Sequence, residues 1–124
     1  MISDFLKSRI LSFKYAFEGI KELIKKEKNT RIHMFFTIAA IAAGFLLKIS
    51  EVEFCVLILT ISSVWCSEAM NSAVERAIDL VTLEKKPLAK ASKDLAAGAV
   101  LISAIGSVFI GLIIFLPKFF ALFH

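Results

Sequence analysis

Three apolar runs, Ile32 to Leu47, Val52 to Cys66 and Leu95 to Leu116, are separated only by short polar stretches and leave this 124-residue chain few ways to fold. A soluble domain of this size has no interior large enough to bury them all. At 58% hydrophobic residues the chain exceeds the usual 45–50% of soluble proteins. The third run is long enough to cross a bilayer by the rule of about 20 residues, and the first two cross it by borrowing flanking residues. We therefore expect an all-α integral membrane protein with three transmembrane helices, over about 31–48, 52–81 and 90–117, forming one membrane-embedded domain over 1–124. The second helix is expected to run on past Cys66, because "SEAMNSAVERAIDLV" holds neither Gly nor Pro. Its extension then leaves the membrane. Pro87 in "TLEKKPLAK" breaks the helical path before the third span.

Ahead of the spans, Leu6, Ile10, Phe13, Phe17, Ile20 and Ile24 recur at gaps of three and four, which predicts an amphipathic helix over about 4–28. Its lysines suit a helix lying on an anionic leaflet. The start "MISDFLKSR" carries early charges and no cleavage site, so we expect it to be retained rather than removed as a signal peptide. Lys and Arg number eight in residues 1–31 and five in 67–94, against one in 48–53 and one after 116. That bias predicts a cytoplasmic N-terminus, an external 48–53 hairpin and a cytoplasmic extension of span two. Cys55 and Cys66 lie roughly 16 Å apart along one helix and are read as small apolar residues.

The extension carries the chemistry. Glu68, Asn71, Glu75 and Asp79 fall within an arc of roughly 80° on a helix, and carboxylates stacked this way repel unless a cation completes them. Lys85, Lys90, Lys93 or Arg76 would supply that charge in a salt-bridged interfacial helix; a divalent metal is the alternative, since Mg²⁺ takes carboxylate oxygens together with substrate phosphates. Glu68 and Glu75 are roughly 10 Å apart along the axis, so separate roles fit them better than one shared ion. Glu27 and Arg31 in "KKEKNTRIH", and Lys93 and Asp94 in "KASKDLAAGAV", lie at the same expected depth, and the small residues of "AAGA" permit close helix packing there. Ionisable groups converging at a membrane boundary form a candidate functional site. The chain has no Gly-rich phosphate loop, no zinc-spaced His/Cys cluster and no Ser-His-Asp set, and His33 and His124 are read as structural or surface residues. Nothing suggests a nucleic-acid partner.

The stretches "EAMNSAVERAIDL" and "AKASKDLAAGAVLISAI", with "FKYAFEGI" and "EKNTRIHM" upstream, closely resemble the prokaryotic diacylglycerol kinase family, which includes undecaprenol kinases. The resemblance covers nearly the whole chain. It implies a homotrimer of three-span subunits with a surface helix, transferring the γ-phosphate of MgATP to a membrane lipid alcohol at the cytoplasmic face of a bacterial inner membrane. Glu68 then looks like the general base, acting with Asn71 on the lipid substrate, and Asn71 like a site-organising amide. Glu27 and Glu75 look like metal ligands and Lys93 like a phosphate contact. Asp79 and Asp94 match positions on the nucleotide side, and Arg9 and Tyr15 are ATP contacts from the surface helix. Glu18 departs from the pattern, because relatives often carry a basic residue there. The "GLIIFLPKFF" and "PLAKASKDLAAGAVL" stretches look more like the undecaprenol branch, with diacylglycerol as the second substrate and a cation-binding membrane scaffold as the non-enzyme alternative.

Overall fold

The computed structural model describes residues 1–26 and 28–124, so Glu27 and the metal role expected of it lie outside the described residues. Every described element is a helix: α1 (Ile2–Lys26), α2 (Lys28–Leu46), α3 (Glu51–Val81) and α4 (Pro87–Ala121). The last three are long and apolar enough to cross a membrane. Two compact units are present, Met1–Ile32 and His33–His124.

In the first unit, α1 ends with carbonyls that lack intrahelical donors, as any helix does. Thr30 meets one of them: its hydroxyl donates to the Leu23 carbonyl at 3.0 Å and is fully buried. Earlier on α1, the Arg9 guanidinium sits 5.0 Å from the Phe5 ring centre. Phe5, Leu6, Ile10, Phe13 and Phe17 are exposed.

In the second unit, two turns set the helical register. At the first, Lys48 takes a left-handed conformation with φ 54°, the Ile49 amide donates back to the Gly44 carbonyl at 3.1 Å, and the Lys48 amide donates to Phe45 at 3.3 Å. This is a Schellman ending, with Lys48 where glycine is usual. Ser50 then opens α3 with a capping box: its hydroxyl accepts from the Glu53 amide at 3.1 Å and the Glu53 carboxylate accepts from the Ser50 amide at 3.0 Å. At the second turn Pro87 occupies the first turn of α4, where its missing N–H costs nothing. The proline expected to interrupt the path therefore starts the helix, and α4 begins three residues before the expected 90.

At its other end α4 runs past Pro117 to Ala121, beyond the expected 117. A proline so near a helix end removes one backbone bond, which membrane helices tolerate. α2, at 19 residues, spans roughly 28 Å at 1.5 Å per residue, about the hydrocarbon thickness. α3, at 31 residues, is roughly 46 Å long and must project beyond it.

α3 and α4 pack against each other, and Ile49, Leu57 and Ile114 form a small buried cluster supported by Ala40, Phe54, Ile61, Ile110 and Phe115. Ile114 is the one buried residue of α4. Val100, Ile110 and Phe115 are half-buried beside it, and most of its other apolar side chains are exposed, as on a lipid-facing helix. Gly98 in "AAGA" does not serve close packing inside the chain, since a Cβ built there meets no atom within 4 Å. Gly44 does: a Cβ there lies 2.9 Å from the Phe54 ring and 3.1 Å from Ile49 Cδ1. Gly44→Leu is expected to overpack the hairpin and destabilise the protein by about 1–3 kcal/mol, read as a lower melting temperature in detergent, whereas an unchanged melting temperature would show that the contact is slack.

Candidate active site

One face of α3 is buried along its length, through Leu57, Thr60, Val64, Glu68 and Ser72. The steps of three and four residues keep these side chains on one stripe. Glu68 is thus a carboxylate taken out of water, a costly placement unless it is hydrogen-bonded. His33 on α2 provides that bond, with Nε2 at 2.6 Å from Glu68 Oε1. His33, read from the sequence as structural or surface, meets the candidate base directly. One turn away, the Trp65 indole N–H donates to the Thr37 hydroxyl at 2.9 Å, a second polar contact between α2 and α3.

Asn71 and Glu75 follow Glu68 on α3, and the Asn71 amide donates to Glu75 Oε1 at 3.2 Å. The amide's own oxygen, Oδ1, is buried and has no hydrogen-bond partner among the described residues. A buried acceptor left this way calls for an explanation. Oδ1 and the Glu75 carboxylate are hard oxygen donors of the kind Mg²⁺ binds, and Mg²⁺ needs few protein ligands when phosphates and water complete its shell. No group of three or more His, Cys, Asp or Glu able to hold a metal occurs among the described residues. The donors present therefore fit a cation bound jointly with phosphate, not one held in an all-protein cage.

Further along, Lys93 on α4 reaches across to Asp79 on α3, with Nζ to Oδ1 at 2.6 Å. Asp94 instead accepts from Lys90 on its own helix, also at 2.6 Å. Lys85, Lys86, Lys90, Lys93 and Asp94 line an open groove of about 620 Å³ with the connection between α3 and α4. Glu84 lines it too, and Lys86, Lys90 and Lys93 each face a carboxylate, so the groove keeps a modest positive excess of four lysines over two carboxylates. Glu68, Asn71, Glu75, Asp79, Lys93 and Asp94 all belong to the second unit. Arg9 and Tyr15 belong to the first, both exposed on α1. The lysine-neutralised stripe weighed from the sequence is realised at Asp79; at Glu68 the partner is an imidazole.

Comparison with known proteins separates the enzymatic from the scaffold reading. Residues 14–115 match the model of the family described as "Prokaryotic diacylglycerol kinase". The chain belongs to that family. It is 43% identical over 107 residues to an undecaprenol kinase of Bacillus subtilis, covering 86% of this chain and 87% of that protein. It is 39% identical over 114 residues to a diacylglycerol kinase of Synechocystis sp., covering 91% of this chain and 65% of the relative. To a diacylglycerol kinase of Haemophilus influenzae it is 31% identical over 108 residues, 86% of this chain and 92% of the relative. The protein is a lipid kinase, a multi-pass bacterial membrane enzyme that uses a nucleotide co-substrate.

In a prokaryotic diacylglycerol kinase, the half-exposed Asp79–Lys93 pair is too wet to add much stability: exposed ion pairs contribute about 0–1 kcal/mol. Lys93→Met is therefore expected to leave the melting temperature within a few degrees, and, for the phosphate contact that the sequence resemblance implies at Lys93, to lower turnover at least roughly ten-fold. Paired measurements of detergent stability and turnover check it; a large stability loss with proportionate activity loss would make Lys93 structural.

Proposed function

We propose that this enzyme transfers the γ-phosphate of MgATP to the hydroxyl of a membrane lipid alcohol, undecaprenol in preference to diacylglycerol, at the cytoplasmic face of the membrane, and that it works as a homotrimer with α1 on the membrane surface. The observation that carries the reading is the buried Glu68 carboxylate, one turn from the unpartnered Asn71 oxygen at the polar end of a membrane-spanning helix. Phosphoryl transfer asks little covalent help of a protein; it needs a positioned acceptor and neutralised phosphate charge.

In the proposed step the lipid oxygen attacks the γ-phosphorus and forms the new O–P bond. The bond from that phosphorus to the bridging oxygen breaks, and the nucleoside diphosphate leaves with the electron pair. Glu68 takes the hydroxyl proton, a base role that suits a carboxylate removed from water. Asn71 orients Glu75 through its amide hydrogen bond. Glu75 and Asn71, with Glu27 on the strength of the family resemblance, would hold Mg²⁺, which when bound offsets the charge of the phosphates. Lys93 contacts phosphate, Asp79 holds its ammonium in place, and Asp94 works on the nucleotide side with Arg9 and Tyr15 from α1.

Undecaprenol is favoured because the relative named undecaprenol kinase shares more identity than those named diacylglycerol kinase. Chemistry sharpens the choice. Diacylglycerol carries ester carbonyls beside its reacting hydroxyl, and a site built to hydrogen-bond them would discriminate strongly against a polyprenol. One N–H of the Asn71 amide is already committed to Glu75. The second reading, diacylglycerol, draws on the relatives of that name.

Two measurements test the proposal. Glu68→Gln is expected to remove nearly all turnover while the protein still folds and extracts normally; turnover near that of the parent protein would end the base assignment. In mixed micelles with MgATP, catalytic efficiency on a long-chain polyprenol is expected to exceed that on diacylglycerol, and a ten-fold lead for diacylglycerol would reverse the substrate assignment.

A further inference from the structure

We infer that His33 is a positioning residue for Glu68, holding one carboxylate oxygen so that the other is left to receive the proton of the lipid hydroxyl. This rests on the reading of Glu68 as the base. A carboxylate that serves as the base must be ionised and then only accepts hydrogen bonds, so in that state the 2.6 Å contact is one in which His33 Nε2–H donates to Oε1. Donation to Oε1 fixes the rotation of the carboxylate about its last bond, a torsion that is broad and soft when nothing holds it. The site is sheltered: the Glu68 side chain is 8% exposed and that of His33 22%. Away from water such a bond is stronger and has less competition. It therefore selects one orientation of the reacting group before substrate arrives.

The bland alternative is that His33 only satisfies a buried carboxylate and helps α2 pack on α3. Thr37 separates the two. Its hydroxyl accepts from Trp65 across the same pair of helices, one turn from His33, and the bond does not involve Glu68. Loss of helix packing should follow from breaking either contact, but loss of carboxylate orientation only from breaking the first.

The test uses the full chain in mixed micelles and reads kcat and both KM values for His33→Ala, His33→Leu, His33→Gln and Thr37→Val. His33→Gln returns an N–H near the position of Nε2; His33→Leu removes the donor but keeps apolar bulk, and covers the case in which the alanine variant folds poorly. The expected result is a fall in kcat of roughly 10- to 100-fold for the alanine and leucine variants, within the range for a group that supports general base catalysis, with KM for lipid and nucleotide within about three-fold. Recovery to within about five-fold of the parent kcat is expected for His33→Gln, and an unchanged kcat for Thr37→Val. Parent-like kcat in His33→Leu, no recovery in His33→Gln, or an equal fall in Thr37→Val would each overturn the inference. Glu68→Gln tells the two failures apart: if it is active, the base assignment has failed; if it is inactive while His33→Leu is fully active, only the positioning role has failed.

Discussion

A helix inside lipid must satisfy its backbone from within, so it cannot loop or fray to bring a side chain to a partner. The only freedom left is the register between neighbouring helices, and in this protein the register is set by two turns. The Schellman ending at Lys48 and the capping box at Ser50 join α2 to α3 with almost no slack. The contacts that this register fixes are His33 with Glu68, Thr37 with Trp65 and the Gly44 backbone with Phe54. The same holds for α3 and α4: Asp79 meets Lys93 near their connecting turn, and Glu53 meets Lys118 at 3.2 Å at the far end. Two ion pairs thus bracket an apolar contact, and each marks where the helix pair reaches a polar layer.

That geometry divides the acidic stripe of α3 into groups with different tasks. Glu68 is buried with an imidazole, Glu75 is bonded to an amide, and Asp79 faces a lysine in half-exposed surroundings. Like charges at helical spacing repel by a few tenths of a kcal/mol per pair. Giving each its own partner removes most of that cost and lets each carboxylate act alone. A buried carboxylate, an amide-bonded one and a lysine-paired one are three different environments, and one helix provides them in order.

Much of this was legible in the residues. Unbroken periodicity through "SEAMNSAVERAIDLV" led to one long α3, and the three apolar runs led to three helices able to cross a membrane. The polar stripe could be placed on one face because helical geometry alone decides it. The pairing of His33 could not be found by looking along one helix, since its partner lies 35 residues away. It depends on how α2 and α3 are offset along their axes, which no single helix records. The choice of Lys93 for Asp79 depended on where α4 begins, whereas Lys90 and Asp94 are four apart on one helix and their pairing follows from spacing. Pro87 opens α4 rather than merely closing what precedes it, and this moves every later residue relative to α3. At the other end α4 continues past Pro117 to Ala121, because a proline in the last turns of a membrane helix removes too little to end it.

The buried stripe of α3 explains why anchor and site cannot be treated as separate parts. Leu57, Thr60, Val64, Glu68 and Ser72 lie on one face, and the stripe becomes polar towards the C-terminal half of α3. A change that shifts the packing around Leu57 and Ile114 also shifts Glu68 along the helix axis, because a helix moves as a rod. A small axial displacement would draw Glu68 away from His33 without touching either residue. Packing around Leu57 thus acts on the surroundings of Glu68 through translation alone. In a soluble protein a loop can absorb such a displacement; between helices held by short turns, the buried carboxylate inherits it in full.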